Sequence, residues 1–180
     1  MGRATSRTLA TAAAIAWATV VGSCAPSRSR TGRVPLPSVA PGRESPGSTE
    51  PAGVVGRVVE AHNAERARHG LPPLSVAPAL GAAADGQARD MAGRGRMSHG
   101  GGDGSSPFDR IKRAGYSYQA AGENVAYGFD DVEAVMAGWM RSPGHRRNIL
   151  GRFTEIGVGR ATAKDGSAYW CVTFGTPRGR

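Results

Sequence analysis

The sequence predicts an α+β domain over residues 54–180, in which helices pack on an antiparallel sheet. Apolar residues recur at helical spacing in the first part of this region. Apolar and other residues alternate in the last part, as they do in strands, and the turn signal Lys164-Asp165-Gly166 separates two such runs. Helices early in the domain and strands late in it favour α+β over a regularly alternating α/β fold.

The helical spacing divides into several segments. Residues 54–69 form one amphipathic segment that ends at Gly70, and residues 78–92 form a second. A short third helix is expected over residues 107–114. The clearest apolar stripe consists of Val132, Val135, Met136, Trp139 and Met140. Ser142-Pro143-Gly144 ends that helix, and Ser142 is expected to cap a short helix running to Leu150.

Two alternating runs predict the hairpin at the end of the chain. Ile156 and Val158 alternate with glycines in the first run. In the second run, one face carries Trp170, Val172 and Phe174, and the other face carries Tyr169, Cys171 and Thr173. Residues 122–127 are expected to add a further strand.

Composition excludes several classes of protein. The net charge of +9 is spread along the chain, without the basic stripe and interleaved aromatics of a nucleic-acid-binding protein, so no nucleic-acid partner is expected. Two cysteines, Cys24 and Cys171, are too few for a disulfide-dense scaffold or a multi-cysteine zinc site. Cys171 is expected to be a reduced, buried thiol, and the protein is expected to be a monomer.

The first 53 residues indicate export. Arg3 and Arg7 precede an apolar run over residues 9–21, as in a signal peptide. Val21-Gly22-Ser23-Cys24 resembles a bacterial lipobox, which implies a signal peptide over residues 1–24 and lipidation of Cys24. The open alternative is conventional cleavage and secretion, so the protein is expected in the cell envelope as a lipoprotein or outside the cell. Residues 25–53, rich in Pro, Ser, Gly and Arg, predict a disordered linker.

Three polar residues next to glycine or serine are the candidates for chemistry. His99, Glu123 and His145 each fall in a predicted turn, where functional residues often lie. Two imidazoles and a carboxylate are ligands that suit Zn²⁺ with a water in the fourth position. The alternative is that each residue only caps its turn.

The order of motifs in residues 54–175 resembles the CAP superfamily of cysteine-rich secretory proteins, antigen 5 and plant pathogenesis-related proteins, and most of all its bacterial branch. The motifs that carry this resemblance are His62-Asn63-x-x-Arg66, Met97-Ser98-His99, Gly122-Glu123-Asn124, Trp139-Met140-x-Ser142-Pro143-Gly144-His145-Arg146-x-Asn148 and Ile156-Gly157-Val158-Gly159. The resemblance implies an α-β-α sandwich. In many eukaryotic members, two histidines and two acidic residues of a central cleft bind Zn²⁺.

The match to that metal site is partial. His99 and Glu123 correspond to one histidine and one acid, but Ser142 stands at the second acid, and Arg152 lies where the second histidine motif would be. His145 comes from the bacterial motif instead. We therefore expect at most weak Zn²⁺ binding.

Four further residues are expected to be structural. Asn63 and Arg66 are predicted to make backbone and ion-pair contacts, Asn124 to bond to backbone in a loop, and Trp139 to lie in the core.

The function expected from sequence is ligand binding in the envelope or outside the cell. The resemblance implies a small lipid, sterol or glycan ligand, or another envelope component, without a single shared activity. The Gly-x-Ser-x-Gly, His-Glu-x-x-His and P-loop motifs do not occur in the sequence. The alternative is a hydrolase of peptides, esters or cell-wall material, either metal-dependent or built from Ser98 or Ser142 with a histidine and Glu123.

Overall fold

The computed structural model describes residues 53–179, which form five helices and four strands. The helices are α1 (Val54–Arg68), α2 (Pro78–Arg94), α3 (Pro107–Arg113), α4 (Val132–Arg141) and α5 (Pro143–Ile149). The strands are β1 (Ser75–Val76), β2 (Tyr118–Tyr127), β3 (Glu155–Thr162) and β4 (Ala168–Pro177). The predicted signal peptide, Cys24 and nearly all of the predicted linker lie outside the described residues. None of the helices in residues 53–179 combines the length and the apolar character required to cross a membrane.

The helix starts follow from local sequence. Pro78, Pro107 and Pro143 each stand in the first turn of a helix, where backbone N–H groups have no intrahelical acceptor, so the lack of an N–H in proline costs no hydrogen bond. Ser106 forms a capping box at the start of α3, and the Asp131 side chain accepts a bond from Ala134 N, 2.7 Å away, at the start of α4. The observed helices confirm the predicted ones, and their bounds agree to within two residues at each end.

The sheet has the order β1-β3-β4-β2. β4 pairs antiparallel with both β2 and β3, as predicted. The expectation of a wholly antiparallel sheet is wrong at one edge, because β1 pairs parallel with β3. Ser75 N donates to Thr154 O, and Ala77 N donates to Ile156 O, each at 3.0 Å. The connection from α1 to α2 therefore adds a two-residue strand, too short to produce an alternating pattern in the sequence.

Helices cover both faces of the sheet. Trp170, Val172 and Phe174 of β4 pack with α1, α4 and α5 in one hydrophobic cluster. Tyr169 and Cys171 face the other way and pack against α2. β4 is thus buried on both faces, and the observed layers confirm the α-β-α sandwich. The hydrophobic clusters consist of residues 54–174, so this domain has a core of its own.

The glycines of β3 allow α2 to approach the sheet closely. A Cβ atom at Gly157 would lie 2.1 Å from Gly81 N and from Leu80 C, which is closer than real atoms come. A Cβ atom at Gly159 would lie 2.4 Å from Ala84 C. The alternating glycines therefore leave room for the backbone of α2.

Arg66 and Asn63 hold the loops around α1 in place. Asn63 bonds to both backbone groups of Leu74, at 2.8 and 3.1 Å. The buried Arg66 guanidinium donates to four backbone carbonyls, those of Pro72, Ile149, Gly151 and Phe153. The expected ion pair is absent for Arg66 within residues 53–179, because these carbonyls take its donors. Trp139 is buried, and its indole donates to Val125 O.

Candidate functional site

The candidate site is built around Glu123, whose carboxylate is buried under the loop that precedes α3. The Glu123 side chain is 2% exposed. Its Oε1 lies 2.8 Å from His99 Nδ1, and its Oε2 lies 2.8 Å from Arg110 Nη2. The Cys171 thiol, on the neighbouring strand β4, donates to Oε2 at 3.4 Å. Both carboxylate oxygens are therefore engaged by side chains of the protein itself.

Glu123 and Asn124 lie inside a strand, which confirms the strand expected over residues 122–127, whereas the turn expected at Glu123 and the loop expected at Asn124 are wrong. Both belong to β2, where Glu123 is opposite Thr173 and Asn124 is opposite Val172 of β4. Gly122 suggested a turn, but its backbone continues the strand, and the Phe153 ring lies 3.0 Å from where a Cβ would be. Rigid strand geometry, rather than a loop, thus aims the carboxylate.

Arg110 is the residue of this cluster that the sequence did not reveal. It lies on α3, and its side chain is 10% exposed. Its guanidinium also donates to His99 O at 2.9 Å and to Ser105 O at 3.0 Å. A buried carboxylate needs a cationic partner, but with 21 arginines in the chain the spacing could not select one. Arg110 joins α3, the preceding loop and β2.

His99 is half-exposed at the rim of the cluster, with 54% of its side chain accessible. Its Nδ1 faces the carboxylate, so the proton of a neutral ring lies on Nδ1 and Nε2 is the acceptor. Chemically, this is a histidine oriented by a buried carboxylate, with its other nitrogen free of partners among the described residues.

His145 lies on α5 rather than in a turn, because Pro143 starts the helix two residues earlier. Its backbone carbonyl accepts a bond from Asn124 Nδ2 at 3.1 Å. Burial lowers the pKa of His145, and the electrostatic effect of His99 lowers it further.

Asn148, also on α5, entered the sequence reading only as the last residue of a motif, with no role expected for it. Its Nδ2 donates to Glu123 O at 3.1 Å and to Asn124 Oδ1 at 2.8 Å. Its position one helical turn after His145 is the signal that could have identified it. Asn124 and Asn148 together fix α5 against the strand that carries Glu123.

The residues present do not fit the zinc site that the resemblance implies. Within residues 53–179, no three His, Cys, Asp or Glu side chains are arranged to hold a metal ion. The lone pairs of Glu123 already accept from His99, Arg110 and Cys171, and the guanidinium of Arg110 repels a cation beside it.

Neither candidate serine is paired with a histidine. Ser98 Oγ accepts from Gly100 N at 2.9 Å, within its own turn. Ser142 stands at the start of α5, but its side chain makes no capping bond, contrary to expectation. In the described residues, therefore, the hydrogen bond that would activate a serine nucleophile is absent.

Two clefts of the described domain lie near this cluster, and only the smaller one is lined by one of its residues, Arg110. One cleft of about 510 Å³ runs between α3 and β2 and is called the α3–β2 groove here. It is lined by Lys112, Gly115, Tyr116, Ser117, Tyr118, Gln119 and Arg178. A smaller cleft of about 290 Å³ is lined by residues that include Gln87, Asp90, Asp103 and Arg110.

Comparison with known proteins agrees with the fold. The profile of the family described as "CAP: Cysteine-rich secretory protein family" matches residues 59–174. This chain therefore belongs to the CAP family.

Several of the proteins that it resembles are bacterial. The uncharacterized protein YkwD of Bacillus subtilis (strain 168) is 45% identical over 104 residues, which are 57% of this chain and 40% of YkwD. An extracellular protein containing a SCP domain from Bacillus anthracis has a crystal structure that is 32% identical, with a TM-score of 0.62 over 68% of this chain and 40% of that one. An outer surface protein of Borrelia burgdorferi, 22% identical, shares the fold with a TM-score of 0.64 over 68% of this chain and 92% of its own. The matched region thus spans well under half of the two Bacillus proteins.

Proposed function

We propose that this chain is an exported, lipid-anchored CAP-domain protein whose domain binds a component of the bacterial envelope and does not turn over a substrate. The apolar segment and lipobox-like sequence that end at Cys24 support the anchor. The Bacillus anthracis relative, described as extracellular, supports export.

The observation that carries the binding function is the state of Glu123. In a hydrolase, a carboxylate at this position would orient or activate one catalytic group, and few other side chains would bond to its oxygens. Here it is shared among His99, Arg110 and Cys171, and within the described residues no serine hydroxyl bonds to His99 or to Glu123. A buried ion pair that joins a helix, a loop and a strand is suited to keep a binding surface rigid.

The α3–β2 groove is the surface that best fits a glycan ligand. Phe108 is exposed just outside the groove lining and packs against the ring of Tyr118, which does line the groove, with the ring centroids 6.2 Å apart. Lys112 Nζ lies 5.9 Å from the centre of the Tyr118 ring, and Arg178 adds a second cation. Aromatic faces stack on sugar rings, while amide and cationic groups bind hydroxyls and acidic substituents.

Retention on purified peptidoglycan tests this function. Phe108→Ala is expected to weaken retention about 2- to 10-fold, the range for loss of one aromatic contact. Met97→Ala is the matched control, because Met97 is similarly exposed outside the groove. Equal retention of both variants and the unchanged protein would exclude the groove, and no retention at all would exclude peptidoglycan as the ligand.

Mass spectrometry of the mature protein tests the anchor. A diacylated Cys24 at the N-terminus is expected when the chain is produced in a bacterium with a lipoprotein pathway. An N-terminus beyond Cys24, or an unmodified Cys24, would contradict it.

The second candidate function is hydrolysis, which one specific observation favours. A buried carboxylate that orients an exposed histidine is the arrangement of a general base. In that function His99 Nε2 would take a proton from water.

A further inference from the structure

A second cleft, of about 600 Å³, lies between the last turn of α4 and the outer side of α5. Its lining consists of Met140, Arg141, Pro143, Arg146, Arg147 and Leu150. The three arginines are exposed, and they are called the α4–α5 arginine patch here. None of them belongs to the Glu123 cluster or to the α3–β2 groove.

The charges of this patch are not neutralised within the described domain. Arg68, Arg89, Arg94, Arg110 and Arg113 each pair with a carboxylate there. Across residues 53–179, none of these ion pairs includes Arg141, Arg146 or Arg147. Three cations in two short helices thus present a concentrated positive field to solvent.

His69 orients the central arginine of the patch. His69 Nδ1 lies 2.9 Å from Glu65 O, which accepts the ring proton, so Nε2 carries the lone pair. Arg146 Nη2 donates to that Nε2 at 3.1 Å. His69, directly after α1, therefore holds one N–H group of the Arg146 guanidinium in place, while the rest of the guanidinium remains exposed.

Apolar side chains lie between these cations. Met140 and Leu150 are partly buried against the hydrophobic core and still reach the cleft, and Pro143 is exposed at its edge. A free phosphate ion would use the cations alone. A phospholipid headgroup uses both features, because its phosphate meets the guanidinium groups while its glycerol and upper acyl carbons meet apolar surface.

We propose that the α4–α5 arginine patch docks the domain on an anionic phospholipid membrane. This inference rests on the proposed lipid anchor, which holds the domain near a membrane where even weak docking is effective. The two acyl chains of the anchor supply stable attachment by themselves, and the patch adds an electrostatic contact that orients the domain on the membrane.

Vesicle binding by the chain that starts at Ala25 tests the patch separately from the anchor, because this chain has no acylated cysteine. The probe is vesicles of phosphatidylcholine with about one third phosphatidylglycerol, at low salt. Each cation near such a surface contributes about fivefold in affinity. The triple variant Arg141→Gln, Arg146→Gln and Arg147→Gln is therefore expected to bind about 100-fold more weakly.

A second triple variant controls for net charge. Arg57→Gln, Arg89→Gln and Arg96→Gln remove three exposed charges from α1 and from the α2 side of the sheet. This variant is expected to bind within about threefold of the parent chain, and all three proteins should share one melting temperature.

Equal weakening by the two triple variants would overturn the proposal, because binding would then follow net charge alone. Equal binding to vesicles of phosphatidylcholine alone would overturn it as well. Release of the bound protein by millimolar inorganic phosphate at constant ionic strength would show a site for small anions instead. Loss of vesicle binding would leave the acylation of Cys24, measured by mass, unaffected, so the two proposals fail independently.

Discussion

Replacing Glu123 by Gln is expected to destabilise the domain by about 3–4 kcal/mol. The substitution keeps the shape of the side chain but removes its charge, and it leaves the nearly buried guanidinium of Arg110 without a counter-ion. Loss of one partner from a buried ion pair costs about 3–5 kcal/mol. Bonds from Arg110 to His99 O and Ser105 O remain and place the expected value in the lower part of that range.

A double-mutant cycle measured by urea unfolding isolates this interaction. Arg110→Met alone is expected to cost about 4 kcal/mol, because two carbonyls also lose a charged donor. The double variant should cost about 5 kcal/mol, well below the total of the single variants, which gives a coupling of at least about 2 kcal/mol. Asp85→Asn with Arg89→Met is the matched control: these side chains are 41% and 74% exposed, and their coupling should stay below about 0.5 kcal/mol.

Additive effects of Glu123→Gln and Arg110→Met would contradict this expectation. They would mean that the two side chains do not depend on each other, and that Glu123 is available for another partner.

Three further predictions concern the core. Burial lowers the pKa of His62 to about 4, so His62 alone should make stability fall by up to about 3 kcal/mol as the pH drops from about 6.5 towards 4. In urea titrations at several pH values, His62→Leu should lose this share of the dependence and keep the smaller share of His145, whose pKa is also lowered. Gly157→Ala should lower the free energy of unfolding by more than about 2 kcal/mol in the same assay, because its methyl group would collide with the backbone of α2. Gly144→Ala is the control: with open space around Gly144, it should lower the free energy of unfolding by less than about 1 kcal/mol. Burial, and to a lesser extent the Glu123 carboxylate, raises the pKa of the Cys171 thiol. A thiol reagent should therefore modify Cys171 only in denaturant. Rapid modification of the native protein would contradict its burial.

The sequence predicted the elements whose signals are local. Helices begin where proline and capping residues stand, and the two faces of β4 follow from its alternation. β1 was not predicted, because Ser75 and Val76 are too few to show a period and gain their strand conformation only from β3. The parallel edge of the sheet could not be deduced for the same reason.

The candidate site was predicted only in part, since its chemistry depends on contacts between distant segments. Motif order selected His99 and Glu123, which do lie in contact. Their decisive partner is Arg110, from a helix whose local sequence shows only a capping box and an ordinary helical face. Backbone contacts of Arg66 were predicted, but not which carbonyls it would bind, because four carbonyls from distant parts of the chain converge only in the folded protein.

Binding without turnover is best tested by incubating the purified protein with isolated peptidoglycan. Retention on the solid and release of soluble fragments are then measured in the same sample. We expect retention and no release, both for the unchanged protein and for a folded His99→Ala variant. Steady release of fragments by the unchanged protein, abolished in His99→Ala, would overturn the binding function and establish His99 as the general base of a hydrolase.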